Sequence, residues 1–233
     1  MKRWIVITAF LIPTLVCAAE PDDSVTEVRS LINESSSVSV ANRFWSDAQI
    51  QNWLDQGISD IAARTGCIED SDTFVLSTGQ YEYTDLVTDG AAAVSNITQI
   101  WGCIYINPDD EYIGLKRILP MQIADLPRTK AGPPVYFYHF DDKIGIFPLP
   151  SSGQNGDSVK VYFSKQPSAA TLALRIAELP SEYQNAMYWF AASMAYKKEH
   201  RYSESDKFYQ MYLEELTALK QGLGNDRPEQ NTQ

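Results

Sequence analysis

The residues best suited to acid–base or nucleophilic chemistry are few and isolated in this sequence. Only two histidines occur, His139 among aromatic residues of a strand-like pattern and His200 at the end of a helical pattern. The sequence contains no Gly-x-Ser-x-Gly, His-Glu-x-x-His, phosphate-loop or dinucleotide-binding motif. Strand packing explains His139, and pairing with a helix dipole explains His200. We therefore expect no enzyme, no catalytic residue and no bound cofactor.

The acidic groups and cysteines do not indicate a metal site. Asp109-Asp110-Glu111 and Asp141-Asp142 could bind a cation, but neither has the spacing of a calcium loop, and ordinary turns explain both. Cys67 and Cys103 lack the close spacing of a zinc or redox motif. These cysteines could pair in an oxidising compartment, although two buried free thiols are the favoured state. No bound metal is expected.

The charge of the chain restricts its partners. Its 233 residues carry a formal net charge of −11, and 44% of them are hydrophobic, which is enough for a substantial core. A protein that wraps nucleic acid needs a dense basic stripe to neutralise phosphates, and none is present. The nearest basic group is Lys197, Lys198 and Arg201, a pattern typical of a solvated helix end.

Residues 1–20 have the three parts of a secretory signal peptide. Lys2 and Arg3 precede an apolar run from residue 4 to residue 16, and Cys17 and two alanines follow. The run is short for a membrane span. An N-terminal extension is the alternative interpretation of the segment. If the leader is cleaved, the alternative function is a secreted or periplasmic bacterial binding module.

The clearest helix of the sequence runs from Ser46 to Gly66. Ser46 and Gln49 form a capping box, and Gly66 supplies a left-handed stop. A second capping box at residues 24–27 opens an earlier helix that ends near residue 34. Apolar residues recur at helical spacing in both segments, so each helix is expected to bury one stripe.

The helical period returns in the last third of the chain. A third capping box at residues 181–184 starts a helix that ends near His200, and Ser203 opens a last helix that Gly222 and Gly224 end. Two isolated helices cannot shield their apolar stripes, so we expect the helices from both ends of the chain to pack together. The predicted bundle core is Trp45, Ile50, Trp53, Leu54, Ile58, Ile61, Trp189, Phe190 and Leu216.

Between the helices the hydrophobic period changes from 3.6 to 2. Strands are predicted at residues 73–76 and 80–84 around a glycine-containing turn, and at residues 97–106 and 159–163. Residues 135–147 read as a hairpin with Asp141-Asp142 at its turn. The alternation places one face of these strands in a core. A small antiparallel sheet or sandwich is therefore expected in the middle of the chain.

The predicted fold class is α+β. An antiparallel helical bundle, made of two N-terminal and two C-terminal helices, is interrupted by a small antiparallel β-domain. The predicted boundaries are residues 1–20 for the leader or extension, 21–67 and 179–222 for the bundle, 68–178 for the β-rich insertion and 223–233 for a flexible C-terminal tail.

The order of these motifs resembles that of tailed-phage head-to-tail adaptor proteins, also called connector or head-completion proteins. The resemblance spans residues 25–219, although the family does not usually carry a signal-like leader. It rests on five motifs, namely Phe44-Trp45-Ser46-Asp47 with the helix that follows, Gln80-Tyr81-Glu82-Tyr83, Gly132-Pro133-Pro134-Val135-Tyr136, Ile146-Phe147-Pro148-Leu149-Pro150 and Leu179-Pro180.

The resemblance implies a structural virion protein, assembled in the host cytoplasm without a membrane. It implies a homo-oligomeric ring, commonly of twelve copies, that docks under the portal and forms a platform for tail or nozzle proteins. DNA would pass through the lumen without specific binding, and an acidic lumen repels the duplex and so suits this passage. Such adaptors often push a C-terminal segment into the portal, which here corresponds to Gly222, Leu223, Gly224, Asn225, Asp226, Arg227 and Pro228.

Overall fold

The computed structural model describes residues 21–34, 44–83, 97–125, 130–140, 143–168 and 170–226, and it confirms the α+β class. The α-helices of this part of the chain are α1 (Pro21–Leu31), α2 (Asp47–Thr65), α3 (Leu172–Glu178), α4 (Gln184–Lys198) and α5 (Tyr202–Asp226). The strands are β1 (Glu69–Val75), β2 (Glu82–Tyr83), β3 (Ile97–Ile106), β4 (Tyr112–Gly114), β5 (Lys116–Arg117), β6 (Tyr136–Phe140), β7 (Lys143–Phe147) and β8 (Ser158–Lys165). Short 3-10 helices are Pro120–Asp125, Ser152–Gln154 and Ser181–Tyr183. The predicted leader lies outside the described residues.

The strands form two sheets. Sheet A has the order β1-β8-β3-β4, with antiparallel neighbours throughout. Sheet B has the order β2-β7-β6-β5, in which β5 runs parallel to β6. The prediction of a wholly antiparallel β-domain is therefore wrong at β5. A parallel pair requires a long crossover connection, and residues 118–135 provide one.

Two strand predictions are confirmed and one pairing is wrong. Strand β3 covers the predicted range, and β6 and β7 form the predicted hairpin. Strands β1 and β2 do not form a hairpin across Gly79, because β1 pairs with β8 in sheet A and β2 pairs with β7 in sheet B. The turn instead carries the chain from one sheet to the other. Both strands thereby direct an aromatic ring into the shared core, where the centroids of Phe74 and Tyr83 are 4.5 Å apart.

The core of the β-domain lies between the two sheets. Val159, Val161 and Phe163 of β8 are fully buried in it, while Lys160 and Tyr162 alternate with them and are partly exposed. Buried residues of β6 and β7 belong to the same cluster. The period of two in the sequence thus assigned the inward face of β8 correctly.

Helix α2 has both of the predicted ends. Ser46 accepts a hydrogen bond from Gln49 N, and the Gln49 side chain accepts one from Ser46 N at 3.0 Å. Gly66 ends the helix in the left-handed conformation, at φ 63°. Trp45, just before the cap, packs edge-on against Trp53 with ring centroids 5.0 Å apart. Local sequence signals therefore determine this helix from start to end.

Helix α1 begins three residues earlier than its capping box predicts. Proline fits the first helical position because its fixed φ is already helical and the N–H it lacks would have no partner there. The helix accordingly starts at Pro21, and Ser24 lies inside it, buried, with its hydroxyl 3.5 Å from the Tyr188 hydroxyl of α4. The predicted cap at Ser24 is therefore wrong, while the predicted inward residues Val25 and Val28 are buried.

A buried arginine joins α1 to α2. Arg29 is only 1% exposed, and its guanidinium donates to Trp45 O at 2.8 Å and to Asp47 Oδ1 at 2.6 Å. It also pairs with Glu34, whose carboxylate accepts from the backbone N–H groups of residues 44 and 45. One cation thus fixes the end of α1 against the start of α2.

The C-terminal helices differ from the sequence prediction in two places. Helix α3 was not predicted, and its Ile176 is buried in the helical core. The predicted capping box at Ser181 does not form, because a 3-10 turn precedes α4 there. Tyr183 N donates to Pro180 O at 3.0 Å in this turn, so a backbone carbonyl takes the place of the serine cap.

The last helix also continues past its predicted end. Helix α5 runs through Gly222 and Gly224 to Asp226, so the prediction that these glycines end it is wrong. Glycine disfavours the helix by about 1 kcal/mol per residue, but it leaves the i to i−4 hydrogen bonds possible. Residues 222–226 are therefore helical, and residues 227–233 lie outside the described residues.

The β-domain attaches to the helical part next to Gly66. The Ser164 hydroxyl of β8 donates to Gly66 O at 2.7 Å and accepts from Trp101 Nε1 at 2.6 Å. A Cβ at Gly66 would lie 3.0 Å from Ser164 Oγ, so the close approach, like the positive φ, requires glycine. The chain passes between the helical part and the β-domain near Gly66 and again after Ser164, and these two connections therefore lie side by side.

Candidate assembly surfaces

The residues predicted for the bundle core lie in or beside one hydrophobic cluster of the helices. Trp45, Ile50, Trp53, Leu54, Ile58, Ile61 and Leu216 are buried in it, and Trp189 and Phe190 are partly buried against it. Helix α4 contacts α1, α2 and α5. These residues hold the helices together and leave little of their own surface for a partner.

The residues predicted to enter the portal divide into two groups. Gly222, Leu223, Gly224, Asn225 and Asp226 form the end of α5, whereas Arg227 and Pro228 lie outside the described residues. Helix α5 has 25 residues and α4 has 15. A three-residue turn joins them, and α5 is the longer of the two helices.

An apolar cavity lies on the outer side of sheet B. It has a volume of about 310 Å³ and is partly covered by the 3-10 helix Pro120–Asp125. Its lining consists of Tyr81, Glu82, Pro120, Ile123, Tyr138, Phe140, Ile146, Phe147 and Leu149. The lining contains no nucleophile paired with a base, so the cavity can hold an apolar group but has no groups to transform it.

One end of this cavity is polar. The Tyr138 hydroxyl donates to Glu82 Oε1 at 3.0 Å, and Lys143 Nζ lies 3.4 Å from Glu82 Oε2. Burial, reinforced by the carboxylate of Glu82, raises the pKa of Tyr138. The Tyr138 ring lies over Gly145, where an added Cβ would be 1.7 Å from the ring. Glycine at position 145 therefore creates the space for this tyrosine.

Large apolar side chains are exposed around the same cavity. Phe140 is 64% exposed and Met121 is 75% exposed, and Tyr81 and Leu119 are also more than half exposed. Side chains of this size outside a core mark surfaces that contact other proteins when they occur together. A partial signal for this site is present in the sequence, since glycine inside a strand indicates a close approach, but the sequence does not identify Tyr138 as the neighbour.

The titratable residues singled out in the sequence have structural surroundings. His139 is half buried in β6, and His200 forms the turn between α4 and α5, with Nδ1 3.0 Å from the Tyr202 hydroxyl. Cys67 and Cys103 are buried free thiols, as predicted, and they lie in the helical core and the β core respectively. Burial raises the pKa of Cys67 to about 11 and raises that of Cys103 as well.

The described residues show no group of three or more metal-binding side chains. No helix among them is both long enough and apolar enough to cross a membrane. What this part of the chain does present is a long last helix, an apolar cavity and exposed apolar side chains. The class of protein that works through such surfaces is a structural protein that binds other proteins.

The particular family follows from the sequence as a whole. Residues 22–232 match the family model described as SU10 adaptor protein, and the chain belongs to that family. The resemblance to phage head-to-tail adaptors is thereby confirmed. The chain is a structural adaptor of a phage particle and not an enzyme.

Comparisons with individual proteins add less. None of the curated proteins matches the sequence. A chain of the neck of an empty gene transfer agent (GTA) particle, computed with C6 symmetry, is 14% identical, with 75% of this chain and 77% of that chain covered and a TM-score of 0.28. A chain of the virion of a native GTA particle is 13% identical, with 78% of each chain covered and a TM-score of 0.28. Scores this low do not show a shared fold.

Proposed function

We propose that this chain forms a homo-oligomeric ring of twelve copies, the number that such adaptors commonly have, and that the ring joins the portal of a tailed phage to its tail. The observation that carries the proposal is the match of residues 22–232 to the adaptor family. The antiparallel helical bundle predicted from the sequence would form the rigid part of each subunit. Tail or nozzle proteins bind the opposite side of the ring.

The last turn of α5 is the part of the chain that contacts the portal. Residues 222–226 are already helical, so this segment docks as a helix and residues 227–233 follow it. In sequence this end begins with the small or apolar residues Gly222, Leu223 and Gly224, and Asn225 and Asp226 follow. A short helix with small residues fits a groove between neighbouring subunits of a partner.

The acidic character of the chain suits the passage of DNA through the ring. A subunit charge of −11 accumulates around a ring, and a negative lumen repels the duplex. The DNA therefore passes without adhering and without sequence-specific contacts. Assembly takes place in the host cytoplasm, and the product is a component of the virion.

Light scattering and electron microscopy of the purified protein, alone and mixed with portal protein, test this function. We expect a ring alone or upon addition of the portal. A variant that ends at Gln221 removes the last turn of α5 and should still form the ring but lose portal binding. A wild-type protein that stays monomeric and ignores the portal would contradict the proposal.

A further inference from the structure

The cavity on the outer side of sheet B continues into a wider apolar surface. Tyr81 and Phe140 belong to its lining, and Leu119 and Met121 flank Pro120 of the lining. We call Tyr81, Leu119, Met121 and Phe140 the apolar rim, and each of them is more than half exposed. A small molecule that filled the cavity of about 310 Å³ would leave the rim in water. An occupant that covers both is therefore a longer chain segment, with one large apolar side chain in the cavity.

Backbone hydrogen bonds hold the apolar rim in place. Leu119 N donates to Gln122 Oε1 at 2.8 Å, and Gln122 N donates to Leu119 O at 2.9 Å, so the start of the 3-10 helix is closed. On the opposite side of the cavity, Tyr81 O accepts from Ile146 N at 2.8 Å. A surface that is ordered before binding loses little conformational freedom when a partner docks on it.

The one acidic residue among the described lining residues has its charge offset. Glu82 accepts a hydrogen bond from the Tyr138 hydroxyl at 3.0 Å, and Lys143 Nζ lies 3.4 Å from its other carboxylate oxygen. The pair of Glu82 and Lys143 carries no net charge. The charge around the cavity is therefore set by other residues.

Two further lysines lie beside the cavity. Lys116 of β5 is the neighbour of Tyr136 in β6, and strand alternation places Tyr136 on the same face as Tyr138 of the lining. Lys130 O accepts from Leu149 N at 3.2 Å, and Leu149 also belongs to the lining. Both lysines are exposed, and neither has an ion-pair partner among the described residues. They give the surroundings of the cavity a positive charge.

The sequence shows the same contrast in charge. Residues 112–150 supply β4 to β7 and most of the cavity lining, and they contain five lysines and arginines and three aspartates. The whole chain, in contrast, has a formal net charge of −11. An acidic partner is therefore attracted to this part of the chain and repelled by most of the rest.

We propose that the cavity and the apolar rim bind an acidic segment of another protein, which inserts one large apolar side chain into the cavity. Carboxylates of the segment lie towards Lys116 and Lys130, while its apolar residues cover the rim. Charge complementarity steers the segment to this face, and apolar burial holds it there. The site goes beyond the proposed ring and does not depend on it.

Fluorescence anisotropy with a defined peptide tests the site. The probe is a fluorescein-labelled peptide in which Asp and Glu residues surround a central Phe-Leu pair. Two matched peptides carry the same label, one with serines in place of the Phe-Leu pair and one with lysines in place of the acidic residues. We expect binding of the first peptide only, and added salt should weaken this binding because exposed charges are screened.

Substitutions on this face locate the site. The double substitution K116E with K130E should weaken binding of the acidic peptide about tenfold and reduce its salt dependence. F140A removes an aromatic ring that is 64% exposed, and it should weaken binding by a similar factor without unfolding the chain. Circular dichroism verifies that each variant is folded.

Matched controls lie on the helices. K198E with K207E changes the charge by the same amount as K116E with K130E, and L174A removes a side chain that is 57% exposed. Both controls should bind the acidic peptide as the wild type does. The proposal is wrong if no peptide binds, if all three bind alike, or if the variants of the cavity face bind as tightly as these controls.

Two other occupants give different results. If phenylacetate binds as tightly as the acidic peptide, the cavity is a site for small aromatic anions, and the segment is wrong. If the peptide does not bind and K116E with K130E lowers the mass of the protein in light scattering, a second copy of the chain covers this face instead. A ring that still binds the peptide supports both proposals, and a monomer that binds it supports the site alone.

Discussion

Replacing Arg29 by methionine should destabilise the chain far more than replacing an exposed arginine. Arg29 is almost fully buried and joins Glu34, Asp47 and a backbone carbonyl at the junction of α1 and α2. Methionine fills much of the same volume without charge. Glu34, whose side chain is 12% exposed, then has no cation paired with its carboxylate among the described residues. The carboxylate still accepts hydrogen bonds from the backbone N–H groups of residues 44 and 45.

The size of the effect follows from the burial of the three groups. Removing one partner of a buried ion pair costs about 3–5 kcal/mol, because the other charge stays buried without compensation. The Asp47 side chain is 46% exposed and regains water, so its share of the loss is small. We therefore expect a loss near the lower limit, about 3 kcal/mol. For a chain of this size such a loss lowers the melting temperature by roughly 6–12 °C.

Thermal and urea denaturation followed by circular dichroism measure this loss. The matched control is R64M, which removes an exposed arginine paired with Asp60 at the spacing i, i+4 and should cost about 0.3–0.5 kcal/mol. The triple variant R29M, E34Q and D47N removes all three charges and should recover part of the stability, since no buried charge is left unpaired. If R29M costs no more than R64M, the buried arginine does not hold α1 to α2 and this reasoning is refuted.

Three further predictions concern the β-domain, the thiols and the pH dependence. G145A should cost about 1–3 kcal/mol in urea denaturation, because the new methyl group displaces the Tyr138 ring. Cys67 and Cys103 should resist alkylation at pH 8 in the folded chain and react after unfolding, as mass spectrometry of each peptide can show; a disulfide between them would contradict their burial in separate cores. Burial also raises the pKa values of both thiols and of Tyr212 above their ordinary values. The folded chain therefore keeps protons that the unfolded chain releases above about pH 9, so the free energy of unfolding should fall as the pH rises from 8 to 10, whereas a constant value would contradict it.

The sequence predicts best those elements whose signals are local. Helix α2 is an example, since the cap at Ser46, the apolar stripe and the stop at Gly66 all lie within the helix and its ends. The pairing of β1 could not be predicted in this way. Its partner β8 lies more than eighty residues later, as the register of Asp70 with Phe163 shows, and no local pattern specifies so distant a neighbour.

The candidate surfaces were less predictable than the core. The end of α5 was predicted as a flexible tail because glycine disfavours helices, yet the helix continues through both glycines. The cavity on sheet B depends on Tyr138 lying over Gly145 and on the 3-10 helix beside it, and both are tertiary arrangements.

The junction between the two parts of the chain connects the proposed assembly surfaces. The apolar cavity on sheet B belongs to the β-domain, whereas the end of α5 belongs to the helices. Ser164 bonds to both Gly66 and Trp101 where the chain crosses between the parts, and these contacts are short and partly buried. If the chain forms the proposed ring, these contacts hold the β-domain and the last helix of each subunit in one relative orientation. In that ring, the insertion that separates the helices in sequence would thus orient the ends of α5.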